Sequence, residues 1–486
     1  VSTTAIDQKK LLINNEWRDA SGGKTMDVVN PATEEVIATV ASATTDDLDA
    51  AVAAARAALN GPWGRMSARD RGRLVSKLAD RLSERADEVA RLETLHNGKP
   101  IFESRQIEIP AAADCLEYFA GWADKVMGET IPVRGNYLTY TLREPLGVVA
   151  AIVPWNFPLL LAVWKIAPAL ATGNVVILKP ASQTPLTALA LGEIAVDVGL
   201  PPGVLNVITG SGATVGQAIV EHPGIDKIAF TGDTSTGKGI MRGAAETLKK
   251  ITLELGGKSP NIVLSDADLD AALRGATTGI FYGKGEVCAA GSRLLLDKSI
   301  KDQFMEKLTA RAKKMVAGDP LDPKTRYGAL ASKKQLETVQ RYVDVAKQEG
   351  ASLVAGGDRA DIGTGRGYFF QPTVFDNVTP QMTIAREEIF GPVLATIEFA
   401  DVDEAIARAN DTQYGLAAAV WTRDVKKAHY VARRLQAGTV WINTYNVYDT
   451  AAPFGGYKAS GFGREMSSHA IEHYTQVKSV WVDLNM

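Results

Sequence analysis

Cys288 stands in a run of small residues, Phe281-Tyr282-Gly283-Lys284-Gly285-Glu286-Val287-Cys288-Ala289-Ala290-Gly291. Well upstream, Glu254 stands in Leu253-Glu254-Leu255-Gly256-Gly257-Lys258-Ser259-Pro260. Glycines beside both let a backbone or a ligand come close. A thiol, which reacts as its thiolate, and a carboxylate able to take a proton are what a nucleophile and its general base require. The only other cysteine, Cys115, sits in Ala113-Asp114-Cys115-Leu116-Glu117-Tyr118-Phe119. That stretch has helical character, and Cys115 reads as a small core hydrophobe. Two cysteines cannot build a disulfide framework, so a reducing, cytoplasmic setting is expected. The five histidines, His96, His222, His429, His469 and His473, show no ligand spacing, and no metal is expected.

Three other segments could hold a ligand. Phe230-Thr231-Gly232-Asp233-Thr234-Ser235-Thr236-Gly237-Lys238-Gly239 follows a predicted strand and opens a predicted helix, whose free amides would favour a phosphate. It falls short of a P-loop, because Gly239 stands where a Mg²⁺-binding hydroxyl is needed. Gly210 to Gly216 approximates a dinucleotide fingerprint with one residue too many. Lys179 and Ser182 close a strand at the expected binding edge, where Lys179 can reach a ribose hydroxyl or a phosphate. Ser182 lacks the charge with which an acidic residue grips a ribose 2′-hydroxyl and repels a 2′-phosphate.

The elements that must position these residues follow a repeating pattern. From Gly147 to Leu255, short β-branched runs alternate with helices: strands at 148–153, 175–178, 205–208 and 227–230, helices at 158–172, 185–198, 213–221 and 234–247. This is the signature of a parallel, doubly wound sheet, which binds ligands beyond the carboxyl ends of its strands. A second α/β series begins at Asn261, with helices at 268–281, 300–316 and 333–349. Helices are also predicted at 45–59, within 67–95 and at 111–126. Leu146 to Trp164 is apolar enough to suggest a membrane span, but Pro154, Asn156 and Pro158 break it into strand, turn and helix. Tyr137 to Arg143 and Val477 to Leu484 alternate apolar and polar residues. They form either an intersubunit arm or an edge hairpin.

At 486 residues the chain requires more than one core, and a 46% hydrophobic composition is that of a globular protein. The net charge of −3 argues against nucleic-acid or membrane-surface partners. Val1 to Lys10 contains no apolar run, so no secretory leader is expected there.

The segments Pro154-Trp155-Asn156-Phe157-Pro158, Lys179-Pro180-Ala181-Ser182, Phe230-Thr231-Gly232, Glu254 to Pro260 and Gly285 to Cys288 occur in that order. Glu387-Glu388-Ile389-Phe390-Gly391-Pro392-Val393, Pro453-Phe454-Gly455-Gly456-Tyr457-Lys458 and Ser460 to Glu465 follow them. Together they make the chain similar to the NAD(P)-dependent aldehyde dehydrogenase superfamily over essentially its whole length. The resemblance implies a Rossmann-like cofactor domain (residues 1–126 and 146–255) and a second α/β catalytic domain (256–456). It also implies a small β oligomerisation arm (127–145 and 457–486) in a homodimer or homotetramer.

The resemblance further implies that Cys288 attacks an aldehyde and that Asn156 with the Cys288 backbone N–H stabilises the oxyanion. Glu254 would activate the water that hydrolyses the thioester. NAD or NADP would lie along Lys179, Ser182, Trp155, Thr231, Gly232, Glu388 and Phe390, and Ser182 would permit both cofactors. Phe157, Leu161, Trp164, Val287, Ala289, Tyr448 and Phe454 would line the substrate tunnel and suit an uncharged aliphatic or aromatic aldehyde. Arg464-Glu465 resembles a family ion pair that orders the C-terminal segment. The chain departs from the family at Gly283, which is expected to loosen the nucleophile loop, and at Glu286, which would raise the thiol pKa if it pointed inward. It departs also at Asp233, expected to turn to the helix amides or solvent. The alternatives on the same scaffold are a CoA-acylating or thiol-esterase enzyme, which would have no use for Glu254, and a non-catalytic structural or cofactor-storage protein.

Overall fold

The β-branched runs form two separate parallel sheets, and the chain passes from one to the other directly after Glu254. The computed structural model describes residues 8–486. Residues 1–7, most of the stretch searched for a leader, lie outside it.

The first sheet has eight strands. Leu205–Val207, Val175–Lys179, Val148–Ile152, Lys227–Thr231 and Lys250–Glu254 run parallel through its middle. Leu11–Ile13 and Glu16–Arg18 extend one edge antiparallel, and Gly461–Phe462 closes the other. The strand order reverses between Val148–Ile152 and Lys227–Thr231. Trp155 and Gly232 therefore follow the two strands that flank the switch point, where such a sheet opens a ligand crevice. All five residues of Val148–Ile152, Val175–Lys179 and Lys227–Thr231 are buried, because helices cover both faces.

The second sheet has seven strands, with Pro260–Val263, Arg293–Asp297, Val393–Phe399, Ala417–Trp421 and Thr439–Ile442 mutually parallel. The helix Leu269–Phe281 crosses from it and delivers the loop that carries Cys288. Leu146 to Trp164 resolves into strand, turn and a helix from Pro158, as its prolines require. Among the described residues, no helix is long and apolar enough to cross a membrane.

The two alternating ribbons pair with each other, from Tyr137↔Asp483 to Pro145↔Thr475, and Thr130–Ile131 adds a third strand. The second arm segment needs correction. Residues 457–474 do not belong to this three-stranded sheet. Gly461–Phe462 pairs with Leu253 and Glu254, and Ala470, Ile471 and Tyr474 are buried in the main core. The sheet edge beside Glu254 recruits them, and the ribbon proper starts at Thr475.

Gly275 lets the helix Leu269–Phe281 lie against Trp421, whose indole donates to Asn261 Oδ1 at 2.7 Å. A Cβ at 275 would sit 2.0 Å from Trp421 Cζ2. Helix propensity favours alanine there by about 1 kcal/mol, but overpacking costs about 1–3 kcal/mol. Gly275→Ala is expected to lower stability in denaturant unfolding, against the direction that propensity alone would give.

Candidate active site

The nucleophile loop is wound tightly. Gly283, Lys284 and Gly285 all hold left-handed backbone, with φ of 56°, 61° and 74°. Gly283 thus meets a conformational need rather than loosening the loop, and Glu103 Oε1 accepts its N–H at 3.4 Å. Cys288 emerges half-buried at the end of this loop. Burial, then the Glu388 and Glu254 carboxylates, push its thiol up to about 12, against the N–H groups of Ala289 and of Cys288 itself.

Glu286 does not act on the thiol. It is buried, pairs with Lys284 at 3.0 Å, and accepts the Ala331 N–H at 3.0 Å. Burial raises its pKa and the Lys284 ammonium opposes that rise.

Glu254 ends its strand at the same edge and is 5% exposed. Neither of its carboxylate oxygens has a hydrogen-bond partner among the described residues. It packs over Gly455, where a Cβ would lie 2.8 Å from its Oε1. Burial raises its pKa well above the usual range, Glu465 adds to the rise, and Lys165 and Arg464 oppose it. A carboxylate so placed is a proton acceptor waiting for a partner.

Asn156 lies in the turn after Val148–Ile152. Its Nδ2 donates to the Glu286 carbonyl at 2.9 Å, which leaves the second amide hydrogen free to meet an oxyanion. Its Oδ1 is buried without a partner among the described residues.

Of the expected cofactor residues, Trp155 and Phe390 meet edge to face with ring centroids 5.2 Å apart. Phe390 is left-handed, with φ of 58°, and Gln335 Nε2 holds its carbonyl at 2.6 Å. Such an outlier marks a place where the fold enforces a side-chain direction. Glu388 Oε1 accepts the Gly257 N–H at 3.0 Å. Burial pushes Glu388 up to about 7, against that bond and Lys258. Lys179 is buried, and burial pulls its ammonium down to about 8. Its one hydrogen bond among the described residues, to the Pro180 carbonyl at 3.1 Å, leaves two N–H groups for a ligand. Ser182 Oγ donates to the Gly210 carbonyl at 3.2 Å.

The Thr231 hydroxyl accepts from Lys165 Nζ at 2.7 Å, and the Gly232 N–H donates to the Glu254 carbonyl at 3.0 Å. The helix starting at Thr234 is not an open anion site. Asp233 caps it, accepting from the Ser235 and Thr236 amides at 2.8 and 3.0 Å. Burial works to raise Asp233, yet those bonds hold its pKa below the ordinary range.

The expected tunnel residues gather as aromatic pairs. Phe157 stacks with Tyr282 at 6.3 Å, and Phe454 touches both Trp164 and Tyr448, at 5.7 and 5.6 Å. Leu161 and Val287 are buried beside this cluster's elements. Ala289 does not belong in a lining. It is 0% exposed, and its carbonyl accepts the Tyr445 hydroxyl at 2.8 Å.

The expected Arg464–Glu465 pair is replaced by another. Glu465 accepts from Lys165 Nζ at 2.6 Å, while Arg464 donates to the Gly463 carbonyl at 2.6 Å. Lys165, 0% exposed and next to the apolar run, was the missed residue. A lone lysine in an otherwise apolar helix was its only signal.

A model of the aldehyde dehydrogenase family matches residues 17–480. The mitochondrial aldehyde dehydrogenase of Homo sapiens is 50% identical over 476 residues, 97% of this chain and 92% of its own. Retinal dehydrogenase 2 of Mus musculus is 49% identical over 483 residues, 99% of this chain and 92% of its own. The NAD+ complex of a Bacillus cereus aldehyde dehydrogenase superimposes with a TM-score of 0.97 at 50% identity, covering 98% of this chain and 97% of that one.

Because Glu388 helps hold the Cys288 thiol protonated, removing its charge should free the thiolate. Iodoacetamide alkylation of Cys288 in the protein alone is expected to climb steadily from pH 7 to about pH 10, toward the raised thiol pKa. Glu388→Gln should raise the rate severalfold at each alkaline pH, read by mass spectrometry of the Cys288 peptide.

Proposed function

This chain belongs to the aldehyde dehydrogenase family, and from that premise we propose that it oxidises an uncharged aliphatic or aromatic aldehyde to its carboxylic acid. NAD or NADP serves as acceptor and Cys288 as covalent nucleophile. The observation that carries the reading is Glu254, a buried carboxylate with both oxygens unpartnered among the described residues, whose charge is one of those raising the Cys288 thiol. An acylating enzyme would have no work for such a base.

In this reading the Cys288 thiol gives its proton to solvent, and the thiolate bonds the aldehyde carbon through Sγ. The free Asn156 amide hydrogen and the Cys288 backbone N–H donate to the oxyanion that forms. A bound nicotinamide supplies the hydride acceptor. Collapse of the oxyanion leaves an acyl group on Sγ, and Glu254 then takes a proton from the water that attacks it. Burial raises the Glu254 pKa above that of a solvated carboxylate, which strengthens it as a base. Cys288 departs as thiolate and the acid is released.

The residues fit a dinucleotide. Lys179 has two N–H groups free, Trp155 and Phe390 present rings, and Glu388 is poised on Gly257 at the same edge. Relatives with NAD+ bound support NAD as one cofactor. Ser182 supports NADP as a second, since a hydroxyl does not repel a 2′-phosphate. The aromatic pairs around Phe454 favour an apolar substrate.

The three-stranded ribbon exposes Val477 at 60% and Trp481 at 58%, which supports a role as the arm of a homodimer or homotetramer. Two free cysteines suit a reducing compartment such as the cytoplasm.

A panel of propanal, hexanal, benzaldehyde and succinic semialdehyde, assayed for NADH and NADPH formation, tests the assignment. The three uncharged aldehydes should be oxidised and the semialdehyde poorly. Cys288→Ala should abolish all turnover; reduced cofactor accumulating in that variant would overturn the covalent mechanism. Ser182→Glu should depress the NADP/NAD ratio of kcat/KM by at least about tenfold, the cost of one like-charge contact of about 1.4 kcal/mol. An unchanged ratio would dismiss Ser182 as a specificity determinant.

A further inference from the structure

Beneath the catalytic turn lies a cluster of ionisable side chains that no step of the reaction uses. Glu93, His96, Lys99, Glu103, Glu108, Lys284 and Glu286 are each at most 5% exposed. Charges are rarely buried so completely unless they are paired. Their bonds converge on Trp155-Asn156-Phe157. Lys99 Nζ donates to the Asn156 carbonyl at 2.7 Å and to Glu108 Oε2 at 2.6 Å, and lies 4.4 Å from the centre of the Phe157 ring. Asn97 Nδ2 donates to the Trp155 carbonyl at 2.7 Å.

Lys284 ties that turn to the nucleophile loop. Its Nζ donates to Asn97 Oδ1 at 2.7 Å and to the Asn97 carbonyl at 3.2 Å, and pairs with Glu286. Two residues after Lys284, the Glu286 carbonyl accepts Asn156 Nδ2. A closed circuit results: Lys284 to Asn97, Asn97 to the Trp155 carbonyl, the Asn156 amide to Glu286, and back along the backbone to Lys284. The circuit passes through the oxyanion donor and ends two residues before Cys288.

Lys284 occupies left-handed backbone despite having a Cβ. In that conformation its ammonium is anchored to Asn97 and Glu286.

We propose that Lys284 is a positioning residue, which, through Asn97 and with Glu286 as counter-ion, fixes the Asn156 amide relative to the Cys288 sulfur. The inference rests on Asn156 being the oxyanion donor, and the test separates the two claims. Four proteins are compared for kcat/KM with propanal: wild type, Asn156→Ala, Lys284→Met and the double variant. Asn156→Ala alone should lose about 100- to 1000-fold, the usual cost of an oxyanion donor. If it does not, the donor assignment fails, and the inference with it.

Lys284→Met should lose roughly tenfold or more, since misplacing a reacting group by an ångström is costly. Its KM for NAD+ should stay within about twofold, because the lost interaction is confined to the transition state. In the Asn156→Ala background, Lys284→Met should cost nothing further, because the group it positions is gone. A full additive loss there, or no loss in the wild-type background, overturns the proposal.

Lys284→Met strands the Glu286 carboxylate and could fail to fold. Lys284→Gln with Glu286→Gln, a neutral pair, is therefore carried through the same comparison. It should lower kcat/KM at least about threefold with Asn156 present and not at all with Asn156→Ala, as coupling through a shared partner requires.

Discussion

A buried carboxylate without a hydrogen-bond partner among the described residues is the constraint around which the site is built. Glu254 is tucked over Gly455 at the carboxyl end of the first sheet, and the elements around it leave it 5% exposed. Gly461–Phe462 pairs with its strand, so the sheet edge beside it is closed. Gly455 supplies the space a side chain would otherwise fill. Lys165 pairs with Glu465 Oε1 close by, and both charges act on Glu254 as a field. Raising a carboxylate in this way spends folding free energy on a group that contributes none, which is the pattern of a catalytic base rather than of a structural ion pair.

The same constraint explains why the site needs both sheets. Glu254 ends one strand of the first and Asn156 follows another, whereas Cys288 arrives from the helix that crosses the second. A nucleophile and an oxyanion donor on different sheets have no shared backbone to fix their separation, and a small error between them is expensive in rate. Buried polar groups can supply what covalent continuity cannot, because in a dry interior their bonds are strong and their directions strict. The Lys284, Asn97 and Lys99 contacts have that character. Replacing them with apolar residues could leave the fold equally stable while letting the turn drift, so their value lies in geometry rather than stability.

How much of this could be read from the sequence follows from range. The strands and helices from Gly147 to Leu255 were legible because β-branched runs and amphipathic helices are local signals, and the prolines at 154 and 158 marked the turn. The candidate cysteine, carboxylate and amide were legible because glycines flank two of them and because their segments resemble a known family. The partnerships were not. Lys165 and Glu465 are 300 residues apart. Arg464, its sequence neighbour, was the natural but wrong partner for Glu465, because its guanidinium is taken up by the Gly463 and Gly456 carbonyls. Lysines 99 and 284 look like solvated charges in a linear reading. Asp233 shows the converse: one local rule, N-capping, correctly gave its direction, and that same bond removes the free amides that had made the segment look like a phosphate site.

These features together describe a site in which burial disfavours the charged forms of its acidic groups. Burial holds the Cys288 thiol near 12 and Glu388 near 7, and Glu254 is raised as well. A protonated, half-buried thiol resists oxidation, which is rapid only for exposed thiolates. The cost is that the nucleophile must be made when it is needed. A cation or a hydrogen-bond donor brought in by the bound reactants would lower the thiol pKa most where the surroundings are least polar, because interactions across a dry site are weakly screened. The burial that suppresses the resting thiolate therefore amplifies the effect of whatever arrives to release it, and selectivity for the loaded state follows from the same low polarity that raises Glu254.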